Sequence, residues 1–268
     1  MNRGAARRGA SALFALLSGA TFAAQSSATA SPEFPVTVAI DPGHGGTNLG
    51  ATGPGPGSYE KNVTLALAAR IRDLLMTSAA PSPPITVVLC RDADLLVPIR
   101  ARARCARESG ARLFLSLHTN AVPNGVPRGS LRGFEVFVLG PREVEDDAAL
   151  AELSEPDDPS AVWAAHEVRA AAERSVVLGR MVSDHLTRDL GAVPRRGMRQ
   201  SGAALDVLRG SGIPAALVEV GFLDHPEEGA KLASSAGREP IAQALVAAIR
   251  EYVHADTRTA PDSIPTRP

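Results

Sequence analysis

The feature that most narrows what this chain can become is a strand that stops on a histidine. Val36, Val38 and Ile40 alternate as the apolar side chains of a strand do, and the run Asp41-Pro42-Gly43-His44-Gly45-Gly46 cannot continue it. Proline removes a backbone donor, and glycine lets the chain turn sharply and pass close to a bound group. A histidine on such a turn, just past the end of a strand, faces the crevice where open α/β sheets bind their ligands.

The pattern recurs. Residues 113–117 form a nearly continuous apolar strand of the kind buried on both faces, and it ends in His118-Thr119-Asn120. Residues 85–89 are a second strand, and residues 133–139 a fourth, with Phe134, Val136 and Val138 alternating against Glu135 and Phe137. A basic, glycine-punctuated loop over residues 195–202 leads to a short strand near residues 205–208, and residues 215–222 form the last. Helices fall between them. Ser58 offers an N-cap and Glu60 a first-turn carboxylate to a helix reaching about Met76, with Val63, Leu67, Ile71, Leu74 and Leu75 at helical spacing. Pro98 suits the first turn of a short arginine-rich helix that ends before Gly110. Asp158 and Pro159 open a long helix that closes at Gly191, and residues 241–253 form a C-terminal one. Strands alternating with helices predict one α/β domain over residues 33–255, its sheet layered between helices.

A chain of 268 residues, 44% hydrophobic, can bury one sizeable core. Its net charge of -1 argues against a nucleic-acid partner or an anionic membrane surface. Residues 1–30 read as a signal peptide: Arg3, Arg7 and Arg8 precede an uncharged Ala/Leu/Phe segment, and Ala28-Thr29-Ala30 supplies a small-residue cleavage pattern. The expectation is export to the periplasm or beyond, with membrane contact only through an uncleaved signal segment. Two cysteines, Cys90 and Cys105, are read either as one disulfide or as two separate buried thiols. Residues 141–159 turn acidic and read as an exposed insertion, and residues 256–268 as a disordered polar tail.

Residues 215–222 carry one carboxylate, Glu219, in apolar company. A buried charge is costly without a partner, a proton or a metal site beside it. His44, Glu60 and His118 offer a His2Glu set whose open fourth position is the pattern of a catalytic zinc site. Their spacing alone is weak support, since no HExxH is present and Glu60 has a structural reading as a partner of the helix dipole.

The local sequences say more. Val38-Ala39-Ile40-Asp41-Pro42-Gly43-His44-Gly45-Gly46, Glu60-Lys61-Asn62-Val63, Leu115-Ser116-Leu117-His118-Thr119-Asn120-Ala121 and Leu217-Val218-Glu219-Val220-Gly221-Phe222-Leu223, in this order, resemble the zinc-dependent N-acetylmuramoyl-L-alanine amidases of bacterial cell walls. The resemblance implies a three-layer α/β/α domain with a mixed, mostly parallel sheet around one zinc ion (Zn2+). It makes His44, Glu60 and His118 the ligands, Glu219 the catalytic carboxylate and peptidoglycan the substrate, cut at the amide joining the lactyl group of N-acetylmuramic acid to L-alanine. Asn120, Arg196 and Arg199 become candidates for substrate contact. Asp41 and Asn120 flank ligands and either orient them or cap strand ends, with Asp-Pro-Gly favouring the structural reading for Asp41. Some periplasmic family members carry, where the acidic insertion falls, a helix that plugs the zinc with a glutamate until a protein activator removes it. Glu143, Glu145, Glu152 and Glu155 are the candidates here, against a solvated loop. His166, His185, His225 and His254 read as non-ligands. Two other functions compete: a zinc exopeptidase on a similar fold, and a non-catalytic wall-binding or division-regulating module, which would be expected to lack one of the four site residues.

Overall fold

The computed structural model describes residues 34–77, 83–154, 159–190, 197–201 and 205–259. The expected signal segment, Glu155 and Arg196 lie outside the described residues. In chain order the elements are β1 (Val36–Pro42), α1 (Glu60–Thr77), β2 (Ile85–Leu89), α2 (Ile99–Glu108), β3 (Leu113–Asn120), β4 (Glu135–Leu139), α3 (Pro141–Ser154), α4 (Pro159–Asp189), β5 (Gly197–Ser201), β6 (Ala215–Phe222), α5 (Pro226–Ala233) and α6 (Ser235–Thr259).

Among the described residues six strands form one sheet in the order β2-β1-β3-β6-β4-β5. The first four run parallel, while β4 is antiparallel to β6 and β5 parallel to β4, so the sheet is mixed and mostly parallel. The alternation of each strand decides which layer it feeds. Leu113, Leu115 and Leu117 of β3 and Ala216, Val218 and Val220 of β6 join Val136 and Val138 of β4 on one face. There they pack against Val63, Leu67 and Ile71 of α1, Leu178, Val182 and Leu186 of α4, and Leu245 and Ile249 of α6. The intervening residues Phe114, Ala215 and Leu217 meet a smaller cluster formed by Ala106 of α2 with Leu205, Val207 and Leu208. Next along that same face, at the carboxyl ends of β3 and β6, the alternation places His118 and Glu219 where apolar residues would otherwise stand.

Several expectations are corrected. The acidic insertion is a helix, α3, not a loop, because Val144 and Ala148 bury one of its faces and Arg209 holds Asp147 at 2.7 Å. The short strand expected near residues 205–208 is a turn; Gly197–Ser201, expected as loop, forms the strand β5 along the free edge of β4. Ser58 caps nothing: its Oγ is buried without a hydrogen-bond partner among the described residues, and α1 begins at Glu60. The C-terminal helix outruns its expected span at both ends. The Ser234 Oγ accepts from Gly237 N at 3.0 Å near its start, and Arg112 pairs with Asp256 at 2.8 Å, inside the stretch expected to be tail. The two cysteines form a disulfide, Cys90–Cys105, with Cα atoms 5.7 Å apart.

Candidate metal centre and active site

The turn after β1 sets the first imidazole. His44 is in the left-handed region at φ 62°, the one non-glycine residue there among the described residues, a conformation costing on the order of 1 kcal/mol. Hydrogen bonds hold it there. Its Nδ1 faces Asn48 Oδ1 at 2.8 Å, which leaves Nε2 directed at Glu60 Oε1, 3.1 Å away. This is the arrangement that fixes a ligand histidine's tautomer and ring orientation.

Glu60 enters from the first residue of α1 and is buried. Its Oε1 accepts from Thr119 N at 2.8 Å and lies 3.0 Å from His118 Nδ1; its Oε2 accepts from Ala51 N at 2.8 Å. Burial pushes the Glu60 carboxyl upward, but hydrogen bonds from His118 and His44 and their charge outweigh it and bring it to about 2. For His44, burial works against the proton, and the Glu60 hydrogen bond and charge, with Asn48, raise it overall. One ligand atom from each of His44, Glu60 and His118 lies within 4.8 Å of the others, a spacing that could hold a metal ion. Two glycines make room. A Cβ on Gly43 would overlap the His118 ring, and one on Gly50 (φ 68°) would come within 2.5 Å of Glu60 Oε2 and 2.8 Å of His44 Cδ2.

The sheet register supplies the rest. His118 stands opposite Glu219 across β3 and β6, and Glu219 stands opposite Glu135 across β6 and β4. Directly opposed residues project on the same face, so the three side chains form one row. The Glu219 Oε2 is buried without a hydrogen-bond partner among the described residues. Burial, then the charges of Glu60 and Glu135, raise its carboxyl to about 8.

Glu135 was not singled out from sequence, although it is, like Glu219, a lone carboxylate in an apolar strand. It is buried, accepts from Asn120 Nδ2 at 2.7 Å and lies 3.4 Å from Arg199 Nε. Asn120 and Arg199 thus border the row through Glu135. Asp41 has no hydrogen bond to either imidazole among the described residues. It accepts from Arg102 Nη1 at 2.7 Å and from Ser116 Oγ at 2.8 Å, as a residue that shapes the turn. Asn48, Arg91 and Arg102 also escaped sequence reading: the two arginines hold backbone atoms distant in the chain, and Asn48 meets a ring only because the turn folds back on itself.

None of the described glutamates of α3 joins the metal-capable group. Glu145 and Glu152 lie 2.9 and 3.5 Å from Arg169 of α4, and Glu143 sits in the first turn of α3. The four other histidines lie outside the group as well. His185 contacts Glu251 at 2.6 Å, His166 packs edge-on against Trp163, His225 caps α5, and His254 is on α6.

Fold and site together define a class: a single mixed α/β domain with two imidazoles and a buried carboxylate gathered at the carboxyl ends of its parallel strands, beside a second carboxylate. Residues 38–251 match the Amidase_3 family, N-acetylmuramoyl-L-alanine amidase. The chain is 31% identical over 234 residues to N-acetylmuramoyl-L-alanine amidase AmiA of Escherichia coli (strain K12), covering 81% of this chain and 76% of that protein. It is 32% identical over 234 residues to AmiA of Salmonella typhimurium, with the same coverage. The crystal structure of N-acetylmuramoyl-L-alanine amidase from Clostridium difficile 630 superposes with TM-score 0.65 at 26% identity, over 82% of this chain and 98% of that one. AmiC2 of Nostoc punctiforme does so with TM-score 0.63 at 27% identity, over 83% and 99%. The chain belongs to the Amidase_3 family and is an N-acetylmuramoyl-L-alanine amidase, a hydrolase of peptidoglycan.

Proposed function

We propose that His44, Glu60 and His118 hold one zinc ion and that Glu219 is the general base for hydrolysis of the amide between N-acetylmuramic acid and L-alanine. The observation that carries this reading is the single row in which Glu219 stands beside His118, itself within ligand distance of Glu60 and His44. The donor set fits: two imidazoles and one carboxylate suit zinc and leave a coordination position open. Bound there, the ion supplies a Lewis acid for the amide carbonyl and lowers the pKa of water toward about 7.

The chain's own residues do the remainder. Glu219 takes a proton from the attacking water and returns it to the departing nitrogen, a task suited to a carboxyl raised by burial toward neutrality. Glu135 keeps Asn120 in place and adds a second negative charge that holds the Glu219 proton affinity up. Arg199, half exposed at the rim, offers a cation to a stem-peptide carboxylate. The disulfide accords with a site of action in an oxidising, extracytoplasmic compartment.

The test is digestion of purified sacculi with identification of the released ends, with and without chelator. Free L-alanine amino termini should appear only with metal present. Glu219→Gln should retain zinc and lose about 10²-fold or more in turnover; near-normal turnover of the zinc-loaded variant would remove Glu219 from the role.

A further inference from the structure

The turn that carries His44 is held from beneath by two buried guanidiniums. Pro42 O accepts from Arg91 Nε at 3.1 Å and from Arg102 Nη1 at 2.8 Å. Gly43 O accepts from Arg91 Nη2 at 3.1 Å, and His44 O from Arg102 Nη2 at 2.6 Å. Every carbonyl from Pro42 to His44 therefore ends on one of these two side chains, and His44 is the residue in the left-handed conformation. Arg91 donates further to Ala93 O and Lys61 O, and Arg102 to Val97 O and Asp41. The loop between the two arginines lies on the same turn: a Cβ on Gly46 would meet Leu96 N at 2.8 Å.

Two like charges buried on one carbonyl repel each other, and while β2, which leads into Arg91, is held by its pairing with β1, the helix that carries Arg102 has little else to fix it. Helix α2 is ten residues long and buries only Arg102, Ala103 and Ala106, so little apolar area anchors it. The disulfide makes up for this. Cys90 precedes Arg91 and is fixed to β1 by its own N–H on Ile40 O at 2.9 Å; Cys105 is three residues after Arg102, on the same side of α2. The covalent bond closes the loop at the base of both arginines and sets the helix against the strand end.

We propose that Arg91 and Arg102, locked together by the Cys90–Cys105 disulfide, are positioning residues for His44, so that the cross-link sets how tightly the centre holds its metal. The inference rests on the zinc-amidase reading above. Without the cross-link α2 moves relative to β2, Arg102 leaves His44 O, and the turn relaxes toward conformations in which Nε2 no longer points at Glu60. Partners that orient a metal ligand are typically worth tenfold to a hundredfold in metal affinity.

The experiment measures zinc affinity of the full chain by competition with a chromophoric chelator, for the wild type, Cys90→Ala/Cys105→Ala, and Arg102→Lys. Lysine keeps the charge, but its single ammonium, with three donors on one atom, cannot reach the four acceptors Val97 O, Asp41, Pro42 O and His44 O together. Both variants should bind zinc about tenfold or more weakly and regain most of the wild-type kcat at saturating zinc, a rescue that general loosening of the fold would not give. A folded Cys90→Ala/Cys105→Ala protein with wild-type zinc affinity overturns the role of the cross-link. If that variant fails to fold, Arg102→Lys decides: weakened binding with rescue supports the proposal, and unchanged binding overturns it. A wild-type protein that binds no zinc would instead overturn the parent reading.

Discussion

Glu219 ties the chemistry of the site to the stability of the fold. Unfolded, its carboxyl titrates near 4.5; folded and metal-free, burial and then the charges of Glu60 and Glu135 raise it to about 8. Between those values the native state holds a proton that the unfolded state has released, so stability falls as pH rises, with a slope approaching about 1.4 kcal/mol per pH unit. Below pH 4.5 both states are protonated and the penalty vanishes. Urea unfolding in chelator should therefore show the wild type losing stability from pH 5 to pH 8 relative to Glu219→Gln. Parallel profiles would mean that Glu219 ionises normally. Asn48 fixes the ring of His44 as well as adding to its proton affinity. Asn48→Ala frees Nδ1 to take either tautomer, and zinc affinity should drop about tenfold with little change in thermal stability.

At the scale of elements, α3 separates two readings of the acidic stretch. Its buried face is Val144 and Ala148, and its glutamates Glu145 and Glu152 meet Arg169 on α4. Arg169→Ala should leave turnover within about twofold of wild type, since exposed pairs of this kind contribute little. A marked acceleration would instead connect these glutamates to control of the site. Ala148→Asp, by contrast, buries an unpaired charge and should cost about 2–4 kcal/mol in denaturant unfolding.

The same element shows what sequence could and could not disclose. Strongly periodic stretches such as β3 and α1 announced themselves, and so did the turn that carries His44 and the strand end that carries His118. Helix α3 did not, because two buried residues, Val144 and Ala148, are too few to impose a helical stripe on an acidic segment. Gly197–Ser201 has no apolar alternation and so carries no strand signal of its own; it is a strand, β5, because β4 presents an open edge. His44, Glu60 and His118 stood out because metal chemistry restricts residue type. Glu135, Asn48, Arg91 and Arg102 did not, since any carboxylate, amide or guanidinium in a strand or loop looks alike until the fold shows what it touches.

For the molecule as a whole, metal and fold should be linked. The three ligand-bearing residues come from the β1 turn, the start of α1 and the end of β3, segments far apart in the chain, so no comparable site survives unfolding. At free zinc one hundred times its dissociation constant the folded state gains about 2.7 kcal/mol, or roughly 5–10 °C in Tm for a domain of this size. Chelation should reverse the shift, and a Tm indifferent to zinc would count against the centre.

The cross-strand row His118, Glu219 and Glu135 has one more implication. These side chains are fixed by the ladder of backbone hydrogen bonds, and sliding β6 by a single residue would turn Glu219 to the opposite side of the sheet. The connection from β3 to β4, residues 121–133, lies outside that ladder and is under no such constraint. Insertions and exchanges there can reshape the surface beside this row, while the row itself is inherited unchanged with the sheet.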